Sequence, residues 1–240
     1  MNSKVFITCA PTANTSGLRA AALLYVDPDD KLFLLIRHSP YMKNQQSLEF
    51  FWEKCTLPRG GLSKNDCDFL INCAFREFLE ETGHGFWGRG YLYKSPFVLR
   101  WHSGNRDWAY AVFFLKIKSG EGGTDLFDRL LWDVTAKVVV GGGGDNDPSS
   151  SIVVNLKRAP LPDRMRCSVI SEISNFNLKK INFVQYKRMM NKILKNNKLI
   201  TNNYYYFLTH VERLINFVYK YPSFFHTVYF TSSITSGDSM

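Results

Sequence analysis

A glycine pair, Gly60-Gly61, runs into a segment whose apolar residues recur at spacings of three and four, and this junction constrains the fold more than any other part of the chain. Within Leu57 to His84, LPRGGLSKNDCDFLINCAFREFLEETGH, the residues Ile71, Ala74, Phe75, Phe78 and Leu79 fall on one helical face. The periodicity predicts a helix from Asp68 to Glu81, and Gly83 stands where a left-handed C-cap belongs.

Strand-like segments flank this helix. RAAALLYVD (19 to 27) and KLFLLIR (31 to 37) are separated by Pro28-Asp29-Asp30 and predict a hairpin. GYLYKSPFVLRW (90 to 101) and DWAYAVFFLKIK (107 to 118) read as a second pair around SGNR, since their aromatic content suits a sheet. Farther on, TDLFDRLLWD suggests a short helical piece, KVVV and SIVVNL suggest strands, and VISEISNF (169 to 176) suggests another. GGGGDNDPSSS (141 to 151) reads as a flexible insert. LKKINFVQYKRMMNKILKN (178 to 196) and the aromatic segment after Asn203 read as helices, followed by a loose tail over 231 to 240.

The composition is globular: 240 residues, 45% hydrophobic and 21% charged, enough chain for a sizeable core and unlike a disordered or collagenous sequence. No stretch approaches the ~18 uncharged apolar residues of a membrane-spanning helix. The first residues hold only a stub of an apolar run, shorter than a secretory signal requires, so an intracellular residence, cytoplasmic or nuclear, is expected. Five cysteines form no CxxC pair, which favours reduced thiols packed as small core residues over a disulfide framework or a zinc site. The net charge is +9, and Lys179 to Lys220 alone holds nine Lys or Arg against Glu212, a surplus of +8. Such a segment fits a polyanionic partner or a solvated helix face.

The helix carries the chemistry. Glu77, Glu80 and Glu81 stand at i, i+3 and i+4, so their carboxylates share one face. They occupy the last turns, where the helix dipole prefers cations and like charges repel. A hard divalent cation would offset that cost, and an exposed, solvated acidic face is the alternative.

This segment resembles the Nudix box, G-x5-E-x7-R-E-U-x-E-E-x-G-U with U a bulky apolar residue. Arg76-Glu77-Phe78-Leu79-Glu80-Glu81-Thr82-Gly83 matches its second half without a gap. The first half departs: counting back from Arg76 puts Leu62 at the glycine and Asp68 at the first glutamate, accepting Gly61 as the glycine needs one extra loop residue, and His84 takes the last apolar place. The resemblance implies an α+β fold, an α/β/α sandwich around a mixed sheet over residues 18 to 180, with the C-terminal helices of the basic aromatic segment 181 to 230 added. It further implies Mg²⁺- or Mn²⁺-dependent hydrolysis of a nucleoside diphosphate derivative. Carried over by position, Glu80 and Glu81 would be metal ligands, Glu77 a ligand or the base for water, and Arg76 the residue that orients them. A backbone carbonyl at Gly60 or Gly61 would complete the shell. An acid outside the box is expected too, with Glu172 first and Glu121 second, a structural salt bridge being the alternative for either.

A second likeness is to the baculoviral ADP-ribose pyrophosphatase group of large insect DNA viruses, which share a Pro-Arg-Gly turn, here Pro58-Arg59-Gly60, and a strand resembling Tyr93-Lys94-Ser95-Pro96-Phe97-Val98-Leu99-Arg100-Trp101. It implies ADP-ribose as substrate. Arg37, at the end of the second strand, sits where Nudix proteins often place an arginine near the substrate phosphates, a solvated strand end being the alternative, and Arg59 is a further candidate substrate contact. Trp101 and Trp108 could stack a base or pack in the core. Related viral Nudix proteins remove mRNA caps, and Lys192 and Lys195 in the basic segment are then candidate RNA contacts. An idle scaffold that binds nucleotide or RNA without turnover is the third reading.

Overall fold

The computed structural model describes residues 15–37, 55–66, 69–103, 106–126, 132–140, 150–158, 176–182, 184–185, 188, 211–218, 220–221 and 224–232. Among them, β1 (Ala20–Val26) and β2 (Lys31–Arg37) form the expected hairpin. Asp27 closes its turn, with Oδ1 accepting from the backbone N–H of Asp29 at 3.0 Å and of Lys31 at 2.8 Å. Asp30 takes the left-handed conformation there, φ 57°.

Two short strands, β3 (Cys55–Thr56) and β4 (Arg59–Gly61), and a 3₁₀ turn over Lys64–Asp66 lead into α1 (Leu70–Thr82). Gly83 ends the helix at φ 69° and donates its N–H to the Leu79 carbonyl. The helix begins at Leu70, two residues later than its periodicity suggests, and its N-cap residue Phe69 offers no side-chain cap.

The remaining strands are β5 (His84–Tyr93), β6 (Phe97–Ser103), β7 (Arg106–Lys116), β8 (Gly122–Leu126), β9 (Trp132–Val140), β10 (Ser150–Arg158), β11 (Phe176–Asn182) and β12 (Phe225–Ser232). All twelve belong to one mixed sheet with the path β11-β2-β1-β7-β5-β12-β10-β9. The parallel pairs are β1 with β7 and β10 with β12. Among the described residues the fold is thus a mixed sheet with few helices.

Several segments differ from the sequence reading. Lys94 to Pro96 is a turn between β5 and β6, not the middle of a strand, because proline cannot donate to a ladder; Lys94 N–H bonds outside the strand pair, to the Phe224 carbonyl at 2.8 Å. Of the helical piece expected over 124 to 133, the first three residues belong to strand Gly122–Leu126 and the last two open β9, while 127 to 131 lie outside the described residues. Glycines allow strand β8: a Cβ at Gly88 would overlap the Glu121 carbonyl, and one at Gly122 would lie 2.5 Å from the Trp87 carbonyl. Phe176–Asn182 is also a strand, paired with β2, so any helix over 178 to 196 starts later. Its start is marked by a capping box in which Asn182 Oδ1 accepts from Gln185 N–H at 2.8 Å and Gln185 Oε1 from Asn182 N–H at 3.0 Å. In the aromatic C-terminal segment, 211–218 is helical, but Phe225–Ser232 is strand β12, seated between β5 and β10 within the sheet, and it takes in Thr231 and Ser232 of the expected tail.

Alternate residues of β1 enter two apolar clusters, so this central strand is buried on both faces. Ala21, Leu23 and Tyr25 meet Phe75, Phe78 and Leu79 of α1. Ala22, Leu24 and Val26 share the other cluster with Val211, Leu214, Ile215 and Val218 of the 211–218 helix. Phe78 is the hub of the first: its ring stacks on Phe86 at 4.8 Å and on Phe33 at 5.7 Å, and lies edge-on to Tyr25 at 5.3 Å. Cys73 is buried here as a free thiol, pushed up to about 12 by burial and by the nearby Glu77 charge. No helix among the described residues is long and apolar enough to cross a membrane.

Candidate active site at the acidic end of the helix

β4 brings the glycine pair beside α1. Its pairing with β1 sets Gly61 opposite Ala20, Gly60 opposite Ala21 and Arg59 opposite Ala22. The strand thereby runs along the helical face that carries Glu77 and Glu81. Gly60 has no room for a side chain, since a Cβ would overlap the Glu77 carboxylate. Glu81 is tied to the same strand: its Oε2 accepts the Arg59 N–H at 2.8 Å.

Arg76 organises the acids from within. Its Nε and Nη2 grip both oxygens of Asp66 at 2.9 Å each, Nη1 reaches Glu77 Oε1 at 2.8 Å and Glu80 Oε2 at 3.0 Å, and Nη2 also bonds the Gly61 carbonyl at 2.9 Å. Burial alone would push the guanidinium pKa down, but the surrounding carboxylates outweigh it and hold the charge more firmly than usual. Asp66 is itself buried and accepts the Ser63 N–H at 2.7 Å. Asn72 adds a clamp on the far side, donating to the Asp66 carbonyl at 3.1 Å and accepting the Ala136 N–H of β9 at 2.9 Å.

Glu81 is the carboxylate left least compensated. Burial, then the charges of Glu77 and Glu80, push its pKa up to about 8 against the opposing pull of Arg59. Arg59 in turn lies over the Tyr110 ring, its guanidinium carbon 5.2 Å from the ring centre. Tyr110 is buried, and burial raises its hydroxyl pKa although Arg59 pulls it down.

Arg76, Glu77, Glu80, Glu81, Arg59 and Gly61 therefore come together. Glu121 does not join them: it pairs with Arg89 at 2.7 Å. Arg37 ends β2 opposite Phe176, and Trp101 of β6 faces Trp108 of β7 in register, but the side chains of these three lie outside the described residues. Glu172, Lys192 and Lys195 lie outside them altogether, as does Asp68. Among the described residues no group of three His, Cys, Asp or Glu side chains is drawn together as a metal cage. An open cavity of about 600 Å³ lies elsewhere, at the N-terminal end of α1 between Leu18, Arg19, Phe69 and Lys94.

Asp66 is the residue that sequence reasoning missed. Counting back from Arg76 at the box spacing selects Asp68, whereas an acid that holds Arg76 stands ten residues before it, 67 to 75 intervening. The forward count did contain the signal, because Gly60 to Asp66 keeps the glycine-x5-acid interval. The extra residues lie between the 3₁₀ turn and the helix.

No protein-family model matches this chain, and comparison with curated proteins finds no match. Among solved structures, a NUDIX hydrolase from Nitrosomonas europaea aligns at 22% identity with a TM-score of 0.30, covering 46% of this chain and 62% of that one. The chain thus spans less than two thirds of that protein's length, and an overlap this partial leaves the site itself as the support for any function.

Proposed function

We propose that this chain is a divalent-metal-dependent hydrolase of the Nudix type, built as a helix-sheet-helix sandwich, that cleaves the pyrophosphate linkage of a nucleoside diphosphate derivative, with ADP-ribose as the first substrate. The observation that carries this reading is the placement of Glu77, Glu80 and Glu81 in the last turns of α1 against the glycine strand β4, with Glu81 tied to the Arg59 N–H and Glu77 and Glu80 to Arg76. Three acids on one face at a helix C-terminus repel one another, which a cation would offset, and an all-oxygen donor set suits Mg²⁺ or Mn²⁺ over softer metals.

The donors fit such an ion in kind. Glu77, Glu80 and Glu81 would hold it, with a carbonyl of Gly60 or Gly61, and Glu77 doubles as the candidate base. A bound Mg²⁺ or Mn²⁺ supplies neutralisation of pyrophosphate charge and a more acidic water. Arg76 positions the acids by bonding Glu77 and Glu80 while Asp66 fixes its far side. Arg59 would meet substrate phosphate, and Arg37 and Trp101 are further candidate contacts. Glu172 stays the candidate for an acid outside the box.

The test is hydrolysis of ADP-ribose, with capped RNA in parallel, by the purified chain with Mg²⁺ or Mn²⁺ and with Glu81→Gln as control. Release of AMP and ribose 5-phosphate, lost in the variant, is the expected result. Release of m7GDP instead would turn the reading to decapping and give the +8 segment, with Lys192 and Lys195, the role of an RNA arm. Wild type and variant equally inert on both would leave a binding scaffold.

A further inference from the structure

The sheet face covered by the 211–218 helix over β1, β2 and β7 continues across β5, β12, β10 and β9, and there its side chains are of a different kind. Trp87, Arg89 and Tyr91 alternate along β5 on the face away from α1, as Phe86 and Leu92 on the opposite parity enter the core around that helix. Register then carries a row across the sheet: Arg89 lies opposite Tyr229, Tyr229 opposite Val153, and Val153 opposite Lys137. Trp87 is 47% exposed and Tyr229 43%, large rings that a folded chain has no packing reason to leave in water.

These groups are held in place. The Trp87 indole lies flat against β8, where Gly123 leaves it room; a Cβ there would come within 3.1 Å of the ring. Arg89 is pinned by Glu121 at 2.7 Å and stands 5.8 Å from the centre of the Tyr91 ring. Lys118 approaches that ring from the adjoining turn at 4.3 Å. Among the described residues this face carries two ion pairs, Arg89 with Glu121 and Lys116 with Asp30, together with Lys118, Lys137 and Lys157 against Asp125 near the end of β8, a surplus of cations.

We infer that this face of the sheet is a docking surface for single-stranded nucleic acid. Exposed rings on a rigid sheet stack unpaired bases, and the lysines beside them, Lys118, Lys137 and Lys157, meet the phosphates, a combination that neither a protein partner nor a duplex would use as fully. The surface is separate from the acidic site, so its role does not depend on the hydrolytic reading.

The experiment is fluorescence anisotropy of a labelled short oligouridylate with the full chain in EDTA, which excludes turnover, over a series of salt concentrations. Trp87→Ala and Tyr229→Ala should each weaken binding by about tenfold, with Trp87→Phe restoring most of it. Lys118→Ala should lower the slope of log affinity against log salt by about 0.7. Circular dichroism melts establish that each variant is folded, and ADP-ribose hydrolysis should be unchanged in all of them. The inference is overturned if the ring variants bind as wild type does, if duplex RNA binds as tightly as the single strand, or if affinity vanishes only in Lys192→Glu with Lys195→Glu.

Discussion

Arg76 and Asp66 meet as a two-pronged pair, Nε to Oδ1 and Nη2 to Oδ2, each at 2.9 Å, with both side chains almost wholly buried. The pair joins the 3₁₀ turn to the middle of α1 and leaves the second guanidinium edge for Glu77 and Glu80. Removing Asp66 would strand part of a buried positive charge and orphan the Ser63 N–H. Asp66→Ala should therefore cost about 3 kcal/mol in urea unfolding. Asp66→Asn, which keeps one acceptor oxygen, should cost less.

Gly60→Ala tests whether the glycine is required by the Glu77 carboxylate. The added methyl displaces the far end of a flexible side chain, not backbone, so the melting temperature should fall little. Turnover of ADP-ribose should drop by about a hundredfold, as expected for a misplaced reacting group. Equal loss of stability and turnover would make the glycine structural.

Glu81 sets a pH dependence with a definite sign. Its pKa is about 8 in the folded chain, above the ordinary carboxylate value of 4.5, so the folded state holds a proton that the unfolded state has released. In EDTA the stabilising effect of that proton is full below about pH 4.5 and is lost as pH rises through about 8. Unfolding free energy should fall across this window by on the order of a few kcal/mol, and Glu81→Gln should flatten the curve. Saturating Mn²⁺ should raise stability most at the alkaline end, as differential scanning calorimetry would show.

Phe78 joins α1 to the sheet through three aromatic contacts and is fully buried. Phe78→Ala should cost about 3 to 5 kcal/mol, seen as a melting point lower by about 10 °C. Loss below about 1 kcal/mol would mean that the neighbouring rings collapse into the space.

The chain's local chemistry determined the β1–β2 turn at Pro28 to Asp30, the helix through Phe75, Phe78 and Leu79, its stop at Gly83, and the shared face of Glu77 and Glu81, because each depends on residues a few positions apart. Tertiary structure decided what depends on distant partners. Phe176–Asn182 became a strand because β2 offered an open edge to pair with, and Phe225–Ser232 because β5 and β10 could take it between them. Gly122–Leu126 became one because glycines on both sides let two backbones approach. Asp66 grips Arg76 from ten residues away because tertiary position, not the residue count, sets which carboxylate reaches the guanidinium. The rise in the Glu81 pKa has the same origin: burial and the crowding of charge exist only once β4 lies against α1.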